Sequence, residues 1–201
     1  MIYRSPVMTC PDSRWVVLKR RVGAVTSQRV VKVLFCVNIL QCFFLVAFFG
    51  FLRIGEMTTN ASNMQNHFLL LSNIEFHSFG FTIRFHTHKH SVPGQTSTFV
   101  IKRQTKSELC PVVQLLRYIA VRRKKRGYLF QHPIGTPIAR SHVIDVLNAA
   151  LVFSGLSPSV YKGHSFRIGS CTWHMQQGFS DTQLRSMGRW RSSAFLSYIR
   201  P

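Results

Sequence analysis

"IEFHSFGFTIRFHTHKH", Ile74–His90, is where the side-chain period changes to two: Phe81, Ile83 and Phe85 alternate with Thr82, Arg84 and His86. Alternation rich in aromatic and β-branched residues describes a half-buried strand. "SVPGQ", 91–95, follows as a turn, and "TSTFVIKR", 96–103, alternates again. The stretch therefore predicts a β-hairpin or a small antiparallel sheet of two or three strands.

Outward from it, the spacing is helical. Val30 to about Met57 reads as one long, largely buried helix, and "VVQLLRYIAVRRKKR", 112–126, as a helix capped at Gly127. "YLFQHPIGTPIA", 128–139, reads as a loop with a short extended piece. "RSHVIDVLNAALVFSGL", 140–156, is an amphipathic helix ending at a glycine. "HSFRIGSCTWHMQQG", 164–178, and "SDTQLRSMG", 180–188, are two more, the second with Ser180 or Asp181 as N-cap. "SSAFLSYIR", 192–200, closes the chain as a short helix. The expected fold class is mainly α with a small antiparallel β-sheet (α+β). Residues 1–29 form a poorly defined N-terminal segment and 30–201 one domain.

The 201 residues carry 26 Lys+Arg against 6 Asp+Glu, a formal charge of +20, with 46% hydrophobic residues. A real core is within reach, and the surplus charge calls for a polyanionic partner, DNA or another nucleic acid first. A ribosomal or membrane-surface protein would show the same balance. Five scattered cysteines without a C-x-x-C pair indicate neither a zinc module nor a disulfide framework. A reducing interior suits them. Val30–Leu52 is long and apolar enough to resemble a membrane span, but Lys32, Asn38 and Gln41 interrupt it, and a buried helix is the reading taken.

"YKGHSFRIGS", 161–170, holds His164 and Arg167 three residues apart, on one helix face. With so few carboxylates in the chain, their common target is an anion from outside. "FFGFLRIGEMT" (48–58), "KGHSFRIGS" (162–170), "MGRW" (187–190) and "FLSYIRP" (195–201) resemble, in order, the catalytic boxes of the tyrosine recombinase (phage integrase) family. They are most similar to those of eukaryotic mobile elements of the DIRS, Ngaro and Crypton kinds. The resemblance runs from about Phe43 to Pro201. It implies a tyrosine recombinase catalytic-domain-like fold and DNA cleavage and rejoining without metal or cofactor. It further implies dimers or tetramers on paired sites and, in a eukaryotic host, a nuclear setting.

The roles implied are coherent chemically. Tyr198 would be the nucleophile, conserving the bond energy as a phosphoester. A phenol is only about 0.1% ionised at pH 7, so cationic surroundings must assist it. Arg53 and Arg167 would clamp the non-bridging oxygens, and His164 would move a proton or hold the phosphate. Lys89, in "THKHS", would protonate the departing 5′ oxygen, with Lys102 and Lys106 as alternatives. The chain departs from the family pattern twice. Ile168 follows Arg167 where many members carry a second histidine. Ten residues before Tyr198 stands Gly188, so the usual His/Trp role falls to Arg189 or Trp190.

Each residue alone has a plainer reading. Arg53 would offset a helix dipole or pair with Glu56, His164 would start a helix, and Tyr198 would be one more packed aromatic. Order and neighbourhood together favour the site. The "RRKKR" run, Arg122, Arg123, Lys124, Lys125 and Arg126, is a candidate for DNA backbone contact. It also fits a nuclear localisation signal or a solvated helix end. His86, His88 and His90 share one strand face without an evident fourth ligand, so no metal site is assigned. Six scattered carboxylates offer no cluster for magnesium-dependent cleavage. The alternative function is a catalytically inactive DNA-binding protein derived from such an enzyme, with an unrelated RNA-binding protein behind it. Relatives usually precede this domain with a helical clamp module and end in an exchanged helix. Fewer than about 45 residues precede the first box here, and Pro201 comes three after Tyr198. Poor cleavage by this chain alone is therefore the expectation.

Overall fold

A computed structural model describes residues 27–59, 69–85, 97–122, 126–190 and 192–200, with the side chains of 27–36 left aside. The apolar run forms helix α1, Ser27–Phe49, and stops earlier than its hydrophobicity suggests. Gly50 and Phe51 turn the chain out of the helix, Phe51 with φ +51, a conformation bulky residues seldom adopt. Leu52 N–H bonds back to the Ala47 carbonyl at 2.9 Å. A second, four-residue helix α2, Ile54–Met57, then begins. The expected single helix to Met57 is thus two, and the break places Arg53 in extended backbone as the N-cap of α2.

The alternating stretches form a three-stranded antiparallel sheet in the order β1 (Ile74–His77), β2 (Gly80–Phe85), β3 (Ser97–Lys102). Phe81 opposes Ile101 and Ile83 opposes Phe99, so both strands turn the same face inward. On the outer face Glu75 pairs with Arg84. At Gly80 any Cβ would lie 2.2 Å from the Ile101 carbonyl oxygen, so this turn admits only glycine.

Helix α3, Pro111–Val121, starts with proline at its first position. It ends at Val121 and not at Gly127. Arg122 leaves the helix in extended backbone and turns its guanidinium inward, donating to the carbonyls of Leu129 at 3.1 Å and Arg126 at 3.0 Å. Helix α4, Arg140–Phe153, is followed by Gly155 at φ +74, the expected glycine end. Helix α5 is Ser165–Gln176. Helix α6, Asp181–Gly188, has Ser180 as N-cap: its hydroxyl accepts from Gln183 N–H while the Gln183 side chain accepts from Ser180 N–H. Residues Ser193–Tyr198 wind into 3-10 turns instead of an α-helix. Among the described residues, no helix is long and apolar enough to cross a membrane.

The main core joins α1 (Cys42, Phe43, Val46), the inner sheet face, α3 (Leu115, Tyr118) and Phe130. A smaller one gathers Phe51, Cys171, Leu184 and Phe195, with Trp190 and Tyr198 packed against it. That satellite core ties the last turns of the chain to α5 and α6.

His174 of α5 lies in its wall, 4% exposed, with ring centroids of Phe51 and Phe179 4.8 and 5.1 Å away. Its Nδ1 hydrogen-bonds the Ser170 carbonyl at 2.8 Å. Burial lowers its pKa below the ordinary 6.5, opposed in part by that carbonyl. The unfolded chain therefore binds the proton first, and stability present above about pH 6.5 declines as pH falls through that value. Denaturant melts at pH 7.5 and 5.5 should show wild type losing more stability on acidification than His174→Gln, by at most about 1.4 kcal/mol per pH unit. Equal losses in the two proteins would remove His174 from this role.

Candidate active site

Arg167 is the hub. It lies on the first turns of α5, 3% exposed, and reaches across to two other boxes. One Nη donates to the Phe51 carbonyl at 2.7 Å and the other to the Gly188 carbonyl. Its guanidinium carbon sits 4.4 Å from the Trp190 ring centroid and 5.9 Å from that of Tyr198. The Nε–H is buried without a partner among the described residues. Burial pushes its pKa down to about 10, with Arg53 and Arg189 adding to the effect, so the group is still charged at pH 7.

Tyr198 is held at both ends of its surroundings. Its carbonyl accepts from the Thr172 hydroxyl of α5 at 3.1 Å, and the same hydroxyl accepts from Arg200 N–H at 3.1 Å. Its ring lies 5.1 Å from the His164 ring and 5.3 Å from that of Trp190. His164, N-cap of α5, is exposed overall, with its ring tilted 49° to that of Tyr198 and partly shielded by its surroundings. That partial burial, then the positive fields of Arg167 and Arg53, lowers its pKa, leaving a neutral imidazole at pH 7.

Glu56 joins the boxes from below. Its carboxylate accepts from Arg53 N–H at 2.7 Å and from Arg189 Nη2 at 3.0 and 3.2 Å. The Arg53 side chain stays exposed above this bond. Arg189 also lies over the Phe85 and Phe99 rings at 4.9 and 5.3 Å, and its Nη1 is buried without a partner among the described residues. One buried and one partly buried guanidinium, each with an N–H donor unmatched among the described residues, leave a place for an anion, because an unmatched buried donor is costly.

Arg189 and Trp190 divide one position between them. Arg189 takes the left-handed conformation, φ +58, and turns the chain so that the Trp190 ring folds over Gly188. A Cβ at 188 would lie 1.7 Å from Trp190 Cζ3. The indole therefore fills the volume a side chain at 188 would take. Gly188→Ala should displace Trp190 and cost about 1–3 kcal/mol in overpacking, with a changed tryptophan fluorescence. An unaltered spectrum and melting curve would contradict this packing.

The structure thus brings together Arg53, His164, Arg167, Arg189, Trp190 and Tyr198, six of the seven residues read from the sequence. Lys89 lies outside the described residues, as do His86, His88 and His90; the flanking β2 ends at Phe85, under Arg189. Arg123, Lys124 and Lys125 also lie outside them. Arg122 differs from its expected surface role: it is 5% exposed, and its donors close the end of α3. Sequence reasoning treated Glu56 only as a partner for Arg53 and missed its bridge to Arg189. It also missed Thr172, whose spacing from Tyr198 carries no local signal.

No protein-family model matches the chain, and no curated protein does. Solved structures do. The XerH site-specific recombinase bound to difH substrate, a pre-cleavage complex, shares 13% identity over 82% of this chain and 44% of that one, with a TM-score of 0.60. The same recombinase on palindromic difH substrate, a post-cleavage complex, shares 12% over 88% and 48%, at 0.59. The chain spans less than half the length of these neighbours. Their likeness and the helical domain with its three-stranded antiparallel sheet give one architecture: the chain has a tyrosine recombinase catalytic-domain-like fold.

Proposed function

We propose that the chain cleaves and rejoins DNA by tyrosine-mediated transesterification. The observation that carries this is the meeting of Tyr198 and His164 with buried Arg167 and partly buried Arg189, whose Nε–H (Arg167) and Nη1 (Arg189) lack partners among the described residues. A scissile phosphate seated there would take both donors, and the exposed Arg53 side chain would close over it. The Tyr198 oxygen attacks phosphorus as its proton passes to neutral His164. The P–O5′ bond breaks, and the leaving oxygen takes a proton to become a 5′ hydroxyl, the role proposed for Lys89. The product is a 3′-phosphotyrosyl bond, which a 5′ hydroxyl from a partner strand reverses. Arginine donors matter most as charge builds on the pentacoordinate phosphorus. Trp190, filling the space over Gly188, would do the work of the side chain the family carries ten residues before its tyrosine.

The motif resemblance supports integration or recombination of a mobile element, on paired sites as dimers or tetramers, in the nucleus of a eukaryotic host. The neighbours were solved on DNA substrates, which favours the same partner here. The second reading, a non-catalytic DNA-binding descendant, draws on the two Nη groups of Arg167, which already donate to the Phe51 and Gly188 carbonyls. A suicide-substrate assay on nicked candidate element termini separates the two. A protein–DNA adduct supports the enzyme; retained binding without an adduct supports the descendant.

A further inference from the structure

Gly55 lies exposed in α2, between Ile54 and Glu56 and two residues beyond Arg53. Among the described residues, a Cβ placed there would meet one neighbour, the Arg140 Nη1 at 3.8 Å. The surface at Gly55 is therefore an open shelf with the Arg140 guanidinium at its edge. Arg140 is the first residue of α4, and its position is fixed from two directions. Its N–H donates to the Thr59 carbonyl at 3.0 Å, and Thr59 N–H donates to the Ile138 carbonyl at 3.1 Å, which stitches the start of α4 to the end of α2. From the other side Gly163, directly ahead of His164, is pressed on both helices. A Cβ at 163 would lie 2.6 Å from Ile54 Cδ1 and 3.4 Å from Ile144 Cδ1. The helix of Arg53, the loop of His164 and the start of α4 thus form one rigid corner.

The Arg140 side chain itself is exposed, and among the described residues its guanidinium has no hydrogen-bonded or ion-paired partner. The nearby carboxylate, Glu56, is already engaged by Arg189. An exposed guanidinium against Gly55, two residues beyond the exposed Arg53, adds a second cation to this corner, a like-charge concentration that an anion relieves. We propose that Arg140, at the edge of the Gly55 shelf, seats the DNA phosphate adjacent to the one Tyr198 attacks. This rests on the DNA-cleaving function set out above. One strand presents a phosphate about every 3.4 Å of helix axis, so a rigid cation just beyond the catalytic cluster meets the neighbouring group. Arg140 then acts as a positioning residue: it sets the register of the strand, so that phosphorus and the tyrosine oxygen align.

Chemical pairing tests the assignment. Duplexes carrying a neutral methylphosphonate at each phosphate flanking the scissile one are bound by wild type, Arg140→Ala and Arg140→Lys. At one flanking position wild type should lose about tenfold in affinity, while Arg140→Ala loses tenfold on unmodified DNA and nothing further on modified DNA. Arg140→Lys should recover part of the loss, and the Ala variant's salt slope should be shallower by about 1. If Arg140→Ala remains as sensitive to every methylphosphonate as wild type, or binds unmodified DNA normally, the seat is refuted. A surviving Tyr198 adduct in that case leaves the cleavage function intact. Conversely, the expected coupling without any adduct from wild type would retain the seat and overturn the cleavage function.

Discussion

Replacing Tyr198 with phenylalanine should abolish the covalent protein–DNA adduct and leave duplex affinity almost unchanged. Only the phenolic oxygen is lost. The ring stays between His164 and Trp190, and the backbone carbonyl still accepts from Thr172, so the wall of the site is kept. Affinity comes mainly from the cations of a chain with a formal charge of +20. Denaturing gels on nicked substrate measure the adduct, and filter binding measures affinity. An adduct persisting in Tyr198→Phe would move the nucleophile elsewhere, first to the exposed Tyr161.

The second large effect separates the two arginines. Arg53→Ala and Arg167→Ala should each slow cleavage by roughly 10²-fold or more, the usual cost of one preorganised anion donor. They should differ in stability. Arg53 offers an exposed side chain, so its loss leaves the melting temperature near that of wild type. Arg167 bonds the Phe51 and Gly188 carbonyls and supports Trp190. Its removal strips two buried acceptors of their donors, each costing about 1–3 kcal/mol. Arg167→Ala should therefore melt several degrees lower, and Arg53→Ala is the cleaner probe of catalysis. Equal melting temperatures would show that the two carbonyl bonds contribute nothing. A rate loss at Arg53 matched by an equal affinity loss would make it a binding residue only.

Local rules made much of this legible. Period-two alternation located β2 and β3, and glycine and serine marked the ends of α4 and α6. They failed where a tertiary contact overrode them. Residues 50–53 read as helix by hydrophobicity, yet Phe51 turns out because its carbonyl receives Arg167 from a residue 116 positions away. Arg122 read as the start of a basic run for DNA backbone contact, yet its guanidinium turns inside to two carbonyls in the following loop.

The sequence by itself determined the class of the fold and proposed the members of the site. Both are written in short-range terms: side-chain period, end signals, and four boxes in a fixed order. What it left open was how those residues share the work. Whether Arg189 or Trp190 answers to the position ten before Tyr198 cannot be counted along the chain, because the left-handed turn at Arg189 lays the Trp190 ring into the space beside Gly188. Glu56 chooses Arg189, 133 residues distant, and leaves the Arg53 side chain free. Such choices depend on which buried donors find acceptors, and that is settled only once the whole chain has packed.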